Sequence, residues 1–190
     1  MEFRFRHHVI DTDLPEGYLG QAVLADMDND GRLEFILGLW KRQIFIYKYE
    51  APDRWRRHLL GNEVPSSVGG VALDVDGDGW LDYVAGGAWY RNSRDINKPF
   101  ERIVFDPKQE AVHDLVAADI DGDGRPEILT MSDPNGLRWF RIPDDPTQLW
   151  PGRDICAPVH TGLAVGDIDG DGDLDLVRTN IWLENVNGDA

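Results

Sequence analysis

Asp74-Val75-Asp76-Gly77-Asp78-Gly79-Trp80-Leu81-Asp82 decides how this chain is read, because three other segments repeat it. They are Asp26-Met27-Asp28-Asn29-Asp30-Gly31-Arg32-Leu33-Glu34, Asp119-Ile120-Asp121-Gly122-Asp123-Gly124-Arg125-Pro126-Glu127 and Asp167-Ile168-Asp169-Gly170-Asp171-Gly172-Asp173-Leu174-Asp175. Each is D-x-D-x-D-G-x-x-[DE]. Four carboxylates in nine residues repel one another unless a cation sits among them. Calcium suits the pattern, since it takes 6–8 oxygens at roughly 2.3–2.6 Å in a flexible shell. Positions 1, 3 and 5 supply side chains, and Gly at position 6 allows a tight reversal. Position 7 would offer its carbonyl, so Arg32, Trp80, Arg125 and Asp173 can differ freely. The acid at position 9 closes the shell. Magnesium demands a tighter octahedron, and no Cys or His stands at ligand spacing for a transition metal. The expectation is about four Ca²⁺ ions, one per loop.

Two other readings of the motif fail on the residues. An EF-hand loop needs an acid at position 12 and flanking helices. Position 12 here is Leu37, Ala85, Thr130 and Arg178. Asp-Gly pairs also make ordinary hairpin turns. One copy fits that account, but four copies with identical acid placement do not.

The chain has 190 residues and a formal net charge of −16. Of its 35 Asp and Glu, sixteen lie at the key motif positions, leaving nineteen to balance nineteen Lys and Arg. The net charge is therefore concentrated in four loops, and the rest of the chain is neutral. An acidic balance of this size repels phosphate backbones, which argues against a nucleic-acid partner. A single Cys excludes an internal disulfide framework and a Cys-based zinc site. No run of apolar residues is long enough to span a membrane, and no leader peptide is visible. Seven Trp and seven Phe argue against disorder.

The loops begin 48, 45 and 48 residues apart, a period that fits propeller blades. Short apolar runs lie before each loop (Gln21–Ala25, Gly70–Leu73, Leu115–Ala118, Leu163–Gly166) and after it (Leu33–Leu37, Leu81–Ala85, Ile128–Met131, Leu174–Arg178). Third strands follow at Ile44–Tyr49, Ala88–Asn92, Leu137–Ile142 and Ile181–Asn185, and fourth strands at Trp55–Leu60, Phe100–Phe105 and Trp150–Cys156. The last unit lacks a fourth strand, whereas Phe5–Ile10 resembles Trp55–Leu60 without a blade before it. The expected fold is all-β: a single domain over 1–190, a β-propeller of four four-stranded blades. Its repeats span about 12–61, 62–106, 107–156 and 157–190 plus 1–11, closed by the N-terminal strand pairing into the last blade. Half of an eight-bladed ring formed by a homodimer, and a fragment of a longer propeller, are the alternatives.

The pattern resembles the FG-GAP/VCBS repeat family, calcium-loop β-propellers found in integrin α-subunit heads and many secreted microbial proteins. The resemblance covers about Phe3 to Asn185. It implies that the loop joins the first and second strands of a blade. It also implies that Asp26, Asp28, Asp30 and Glu34, and their equivalents in the other units, are ligands. Family rings resemble seven or eight blades, so four repeats are few.

Function beyond the metal has two candidate seats. Trp40, Trp89, Tyr90, Trp139, Phe140 and Trp182 recur near the third strands, and aromatic faces suit sugars and partner side chains, or fill the space between blades. Trp80 is expected to be exposed. His113, Asp114 and His160 lie at starts of first strands, where they would face a central channel and form a catalytic group. Some enzymes with similar repeats eliminate across sugars, which keeps a lyase or dehydratase open by resemblance. His7, His8 and His58 read as surface residues, and Cys156 as a small packed one. The reading favours a calcium-stabilised scaffold that binds carbohydrate or a protein partner. Loops with this many oxygens fill where calcium is millimolar, so the expected compartment is extracellular or periplasmic.

Overall fold

A computed structural model describes residues 3–16, 19–39, 41–63, 69–158 and 162–186. Among them are fifteen strands and no helix. Sheet one is β1 (Leu19–Ala25), β2 (Glu34–Leu39), β3 (Gln43–Ala51) and β4 (Arg54–Asn62). Sheet two is β5 (Gly70–Leu73), β6 (Asp82–Ala85), β7 (Ala88–Arg91) and β8 (Glu101–Val104). Sheet three is β9 (Val112–Ala118), β10 (Glu127–Ser132), β11 (Gly136–Phe140) and β12 (Gly152–Cys156). Sheet four has three strands, β13 (Leu163–Gly166), β14 (Asp175–Arg178) and β15 (Ile181–Leu183). Every sheet is an antiparallel meander in chain order, and each acidic loop joins its first two strands. The first strands β1, β5, β9 and β13 lie side by side in succession.

Alternation along the strands builds the cores between these sheets. In β3, Ile44 and Ile46 point toward sheet two, where they meet Tyr83, Ala85, Tyr90 and Phe100. In β7, Trp89 points the other way and packs with Val112, Leu115, Ile128 and Phe140 of sheet three. Trp139 of β11 turns toward sheet four and lies against Leu176. Period-two patterning thus gives each middle strand two buried faces, as a sheet sandwiched between neighbours requires. Phe105 stacks on Trp150 with ring centroids 4.1 Å apart, across the boundary between sheets two and three. Such a pair adds about 0.5–1.5 kcal/mol beyond its buried area. Trp89, Tyr90, Trp139 and Phe140 are therefore inter-sheet packing, while Trp182 is 45% exposed and Trp40 lies outside the described residues. Trp80 is half-buried rather than exposed, and Cys156 packs partly buried beside the third core.

The N-terminal segment departs from expectation. Phe5–Ile10 forms no strand, and among the described residues β15 pairs only with β14. The outer face of sheet one explains the difference. Leu37, Leu39, Phe45 and Tyr47 form an apolar surface there, and Ile10 and Leu14 pack against it. Polar anchors hold the segment: the Val9 amide donates to Asp53 Oδ1 at 2.7 Å, and Tyr47 Oη donates to Asp11 Oδ2 at 2.9 Å. Burial of Ile10 and Leu14 on that face favours this course of the segment, while Phe3 and Phe5 stay exposed. Among the described residues the first strands adjoin in the order β1, β5, β9, β13, which sets the four sheets in succession.

Candidate metal centres

All four loops fold by the same backbone logic. Gly31, Gly79, Gly124 and Gly172 at position 6 have φ between +83° and +104°. That left-handed conformation is open to glycine and strained for most other residues. Position 4 needs it too, with Gly77, Gly122 and Gly170 in three loops. Asn29 supplies it in the first with φ +55°, which an Asn tolerates. The reversal aims backbone amides at the first carboxylate. Gly31 N donates to Asp26 Oδ2 at 2.9 Å, Gly79 N to Asp74 Oδ2 at 2.9 Å, Gly124 N to Asp119 Oδ2 at 3.0 Å and Gly172 N to Asp167 Oδ2 at 3.2 Å. The position-5 carboxylates Asp30, Asp78, Asp123 and Asp171 each accept from the amide two residues on, at 2.8–3.0 Å.

Carboxylate oxygens converge as a result. Asp26, Asp28 and Glu34 bring ligand atoms within 4.8 Å of one another, as do Asp74, Asp76 and Asp78. The same holds for Asp119, Asp121 and Glu127, and for Asp167, Asp169 and Asp175. Several of these oxygens are buried and lack a hydrogen-bond partner: Asp28 Oδ1, Glu34 Oε1, Asp76 Oδ1 and Asp119 Oδ1. A buried carboxylate oxygen without a partner is costly, and a hard divalent cation is the group that would satisfy it. The donor set is all oxygen, and it fits calcium.

Position 9 divides into two kinds, which the sequence pattern alone conceals. Glu34 and Glu127 each accept from one amide, Met27 N or Ile120 N, both at 2.9 Å. The longer Glu side chain leaves Glu34 Oε1 turned inward. Asp82 and Asp175 spend both oxygens on amides. Asp82 accepts from Val75 N at 3.0 Å and Asn92 N at 2.7 Å, and Asp175 from Ile168 N at 3.0 Å and Asn185 N at 2.8 Å. The short acids thus fasten the loop to the end of the third strand. Burial raises Glu34 above the usual carboxylate range against the Met27 hydrogen bond, and it pushes Asp82 up to about 7.

Four basic side chains also enter the loops, Arg94 by pairing with Asp78 Oδ2 at 2.6 Å, and a residue-by-residue reading of the motif misses them. Lys48 ion-pairs with Asp28 and with Asp30, the latter at 2.8 Å. Burial works against its charge, but the two carboxylates outweigh it and raise Lys48 to about 12. Arg91 Nε lies 3.0 Å from Asp76 Oδ2, and Arg141 pairs with Asp121. The missed signal is a second period. Asp26 and Asp119 are 93 residues apart, as are Asp74 and Asp167, and the same offset relates Lys48 to Arg141. It also relates Asn92 to Asn185. The Asn92 amide donates to Met27 O of loop one at 2.8 Å, and Asn185 to Ile120 O of loop three at 2.9 Å. Units one and two are stitched together in this way, and units three and four likewise.

His113 and Asp114 occupy opposite faces of β9. His113 Nε2 is 3.0 Å from Asp133 Oδ2, within its own sheet. Asp114, on the opposite face of β9, accepts from Gly162 N at 2.8 Å. His160 lies outside the described residues. His8 bonds Asp53, and His58 is half-buried with Nε2 unpartnered.

A family model described as an FG-GAP-like repeat matches residues 74–130 and 119–177. The chain belongs to the FG-GAP-like repeat family. No curated protein matches its sequence. Among solved structures it is similar to an Agrocybe aegerita lectin described as recognising non-reducing terminal N-acetylglucosamine, at 17% identity and TM-score 0.52. That match covers 82% of this chain and 45% of the lectin. It is also similar to the rhamnogalacturonan lyase PL11 of Bacillus licheniformis, at 17% identity and TM-score 0.51, over 90% of this chain and 41% of that one. Rhamnogalacturonan lyase YesW gives 16% identity and TM-score 0.50, over 95% and 45%. The FG-GAP-like chain thus spans under half the length of these proteins, and the likeness is one of propeller-type fold. Among its described residues no helix is long and apolar enough to cross a membrane.

Proposed function

We propose that this FG-GAP-like chain is a calcium-stabilised, propeller-type scaffold whose surface binds a carbohydrate ligand. The observation that carries the calcium half is the set of buried, unpartnered carboxylate oxygens converging in the loops. Bound calcium would neutralise charge that the turns otherwise hold at close range. Ions that bind only the folded chain stabilise it by about 2.7 kcal/mol each at a hundredfold excess over the dissociation constant. The carbohydrate half is supported by the exposed Trp182 ring on β15 and by the sugar-recognising and sugar-cleaving proteins that share the fold. Millimolar calcium favours an extracellular or periplasmic setting. A protein ligand, and a homodimer completing an eight-bladed ring, are the further occupants of the same surfaces.

Thermal unfolding with and without excess EDTA tests the calcium half, with an expected fall of more than about 10 °C on chelation for two or more filled loops. An unchanged melting curve sinks it. A glycan array with and without calcium tests the ligand half. Sugar-specific, calcium-dependent signal supports it, and silence transfers the reading to a protein partner. Unsaturated product from polysaccharide, lost in His113→Ala, would instead mark a lyase.

A further inference from the structure

Lys48, Arg91 and Arg141 hold corresponding places in their units. Lys48 and Arg141 each lie fourteen residues beyond the position-9 Glu, and Arg91 lies nine beyond Asp82. All three reach the position-3 carboxylate of their own loop, and Arg94 adds a second base to loop two at Asp78. The residue nine beyond Asp175 in unit four is Glu184, which is exposed. Loop four also carries Asp173 at position 7, where the others have Arg or Trp. It therefore gathers five Asp and one Glu, and among the described residues no basic side chain pairs with any of them.

Lys48 spans the position-3 and position-5 carboxylates, yet part of the donor set stays open. In Asp28 and Asp76 the base holds Oδ2, while Oδ1 is buried, unpartnered and left for another ligand. Ion and base would be neighbours on one carboxylate, and two positive charges there repel. We propose that Lys48, Arg91 and Arg141 are tethered counter-cations that lower the calcium affinity of loops one to three, and that Glu184 leaves loop four the tightest calcium loop of the chain. The inference rests on the calcium reading above. Repulsion between a unit charge and a divalent ion across roughly 6 Å of water is worth about tenfold in affinity. Affinity in oxygen-ligand loops follows the count of ligand charges, in the same direction.

Calorimetric titration of the full chain with calcium chloride tests it, with circular dichroism as a check that each variant is folded. One ion is expected to bind about tenfold tighter than the others, and Asp169→Asn removes that phase. Glu184→Arg, which copies the Arg91 arrangement at an exposed position, lowers the tight site to the level of the rest. Lys48→Gln, Arg91→Gln and Arg141→Gln each raise one weak site by about tenfold, and Lys48→Arg restores the wild-type isotherm. Four equal sites, a tight phase indifferent to Glu184→Arg, or Gln variants that weaken their own sites each overturn the proposal while leaving calcium binding intact. Absence of any calcium heat, with a melting curve unmoved by EDTA, removes the calcium reading itself and this proposal with it.

Discussion

Replacing Asn92 with Ala tests the stitch between units one and two. Asn92 is only 6% exposed, and its side chain makes three hydrogen bonds to backbone. Nδ2 donates to Met27 O and to Leu81 O, each at 2.8 Å, and Oδ1 accepts from Arg94 N at 2.8 Å. Truncation leaves two carbonyls and an amide without that partner in a region too closed for water to replace all three. A buried polar group stripped of its partner costs about 1–3 kcal/mol. Partial relaxation at the loop surface brings the expected total to about 3 kcal/mol, and roughly 6–12 °C in Tm for a chain of this length. Urea unfolding followed by Trp fluorescence in saturating calcium reads the loss directly, since Trp89 is fully buried one core away. Asn185→Ala is the internal comparison. Its bonds to Ile120 O and Leu174 O are 2.9 and 3.3 Å in a half-buried setting, so the loss is expected at about half that of Asn92→Ala. An Asn92→Ala variant within about 0.5 kcal/mol of wild type would falsify the claim that this amide joins the two units.

Other expectations follow from single features. Gly87→Ala places a Cβ 2.0 Å from Asp106 O and 2.8 Å from Gln109 Cβ, so a loss of about 3 kcal/mol or more is expected, read by denaturation or by failure to accumulate soluble protein. Burial, reinforced by Arg56, lowers the His58 pKa below 6.5, so the folded state favours the neutral ring. Its stabilising contribution is full above 6.5 and is lost as pH falls from 6.5 through the folded value; His58→Gln should flatten that part of the stability profile, and an unaltered profile refutes the assignment. Trp182→Ala removes a ring already 45% exposed, so glycan-array signal should vanish while Tm moves by no more than about 2 °C. Sedimentation in calcium distinguishes a single chain from the two-chain ring.

The four loops were legible because their demands are local: a carboxylate, a left-handed glycine and a fixed spacing are all visible in nine residues. The strands around them were legible for the same reason, as Ile44 to Tyr47 shows by alternating between two buried faces. What escaped depends on distant surfaces. Phe5–Ile10 looks like Trp55–Leu60, and nothing in either stretch reveals that Leu37, Leu39 and Phe45 would need covering. The reach of Lys48 and Arg141 into the loops depends on how the third strand returns alongside the second, and on reading units two apart rather than one. The divided role of position 9 turns on one methylene between Asp and Glu. Only the folded backbone shows that Asp82 reaches two amides and Glu34 one.

The Asn stitch also bears on how such a chain lengthens. Asn92 ties unit two to unit one, and Asn185 ties unit four to unit three, but unit three meets unit two through Ile142 at the corresponding place. At this one position the seams between consecutive blades therefore alternate between a polar clasp and an apolar contact. Adding or deleting one blade would set two like seams side by side, leaving either a buried amide with no carbonyl to meet or a loop carbonyl with no donor. Adding or deleting two preserves every clasp. The repeating module of this chain is thus a couplet of 93 residues.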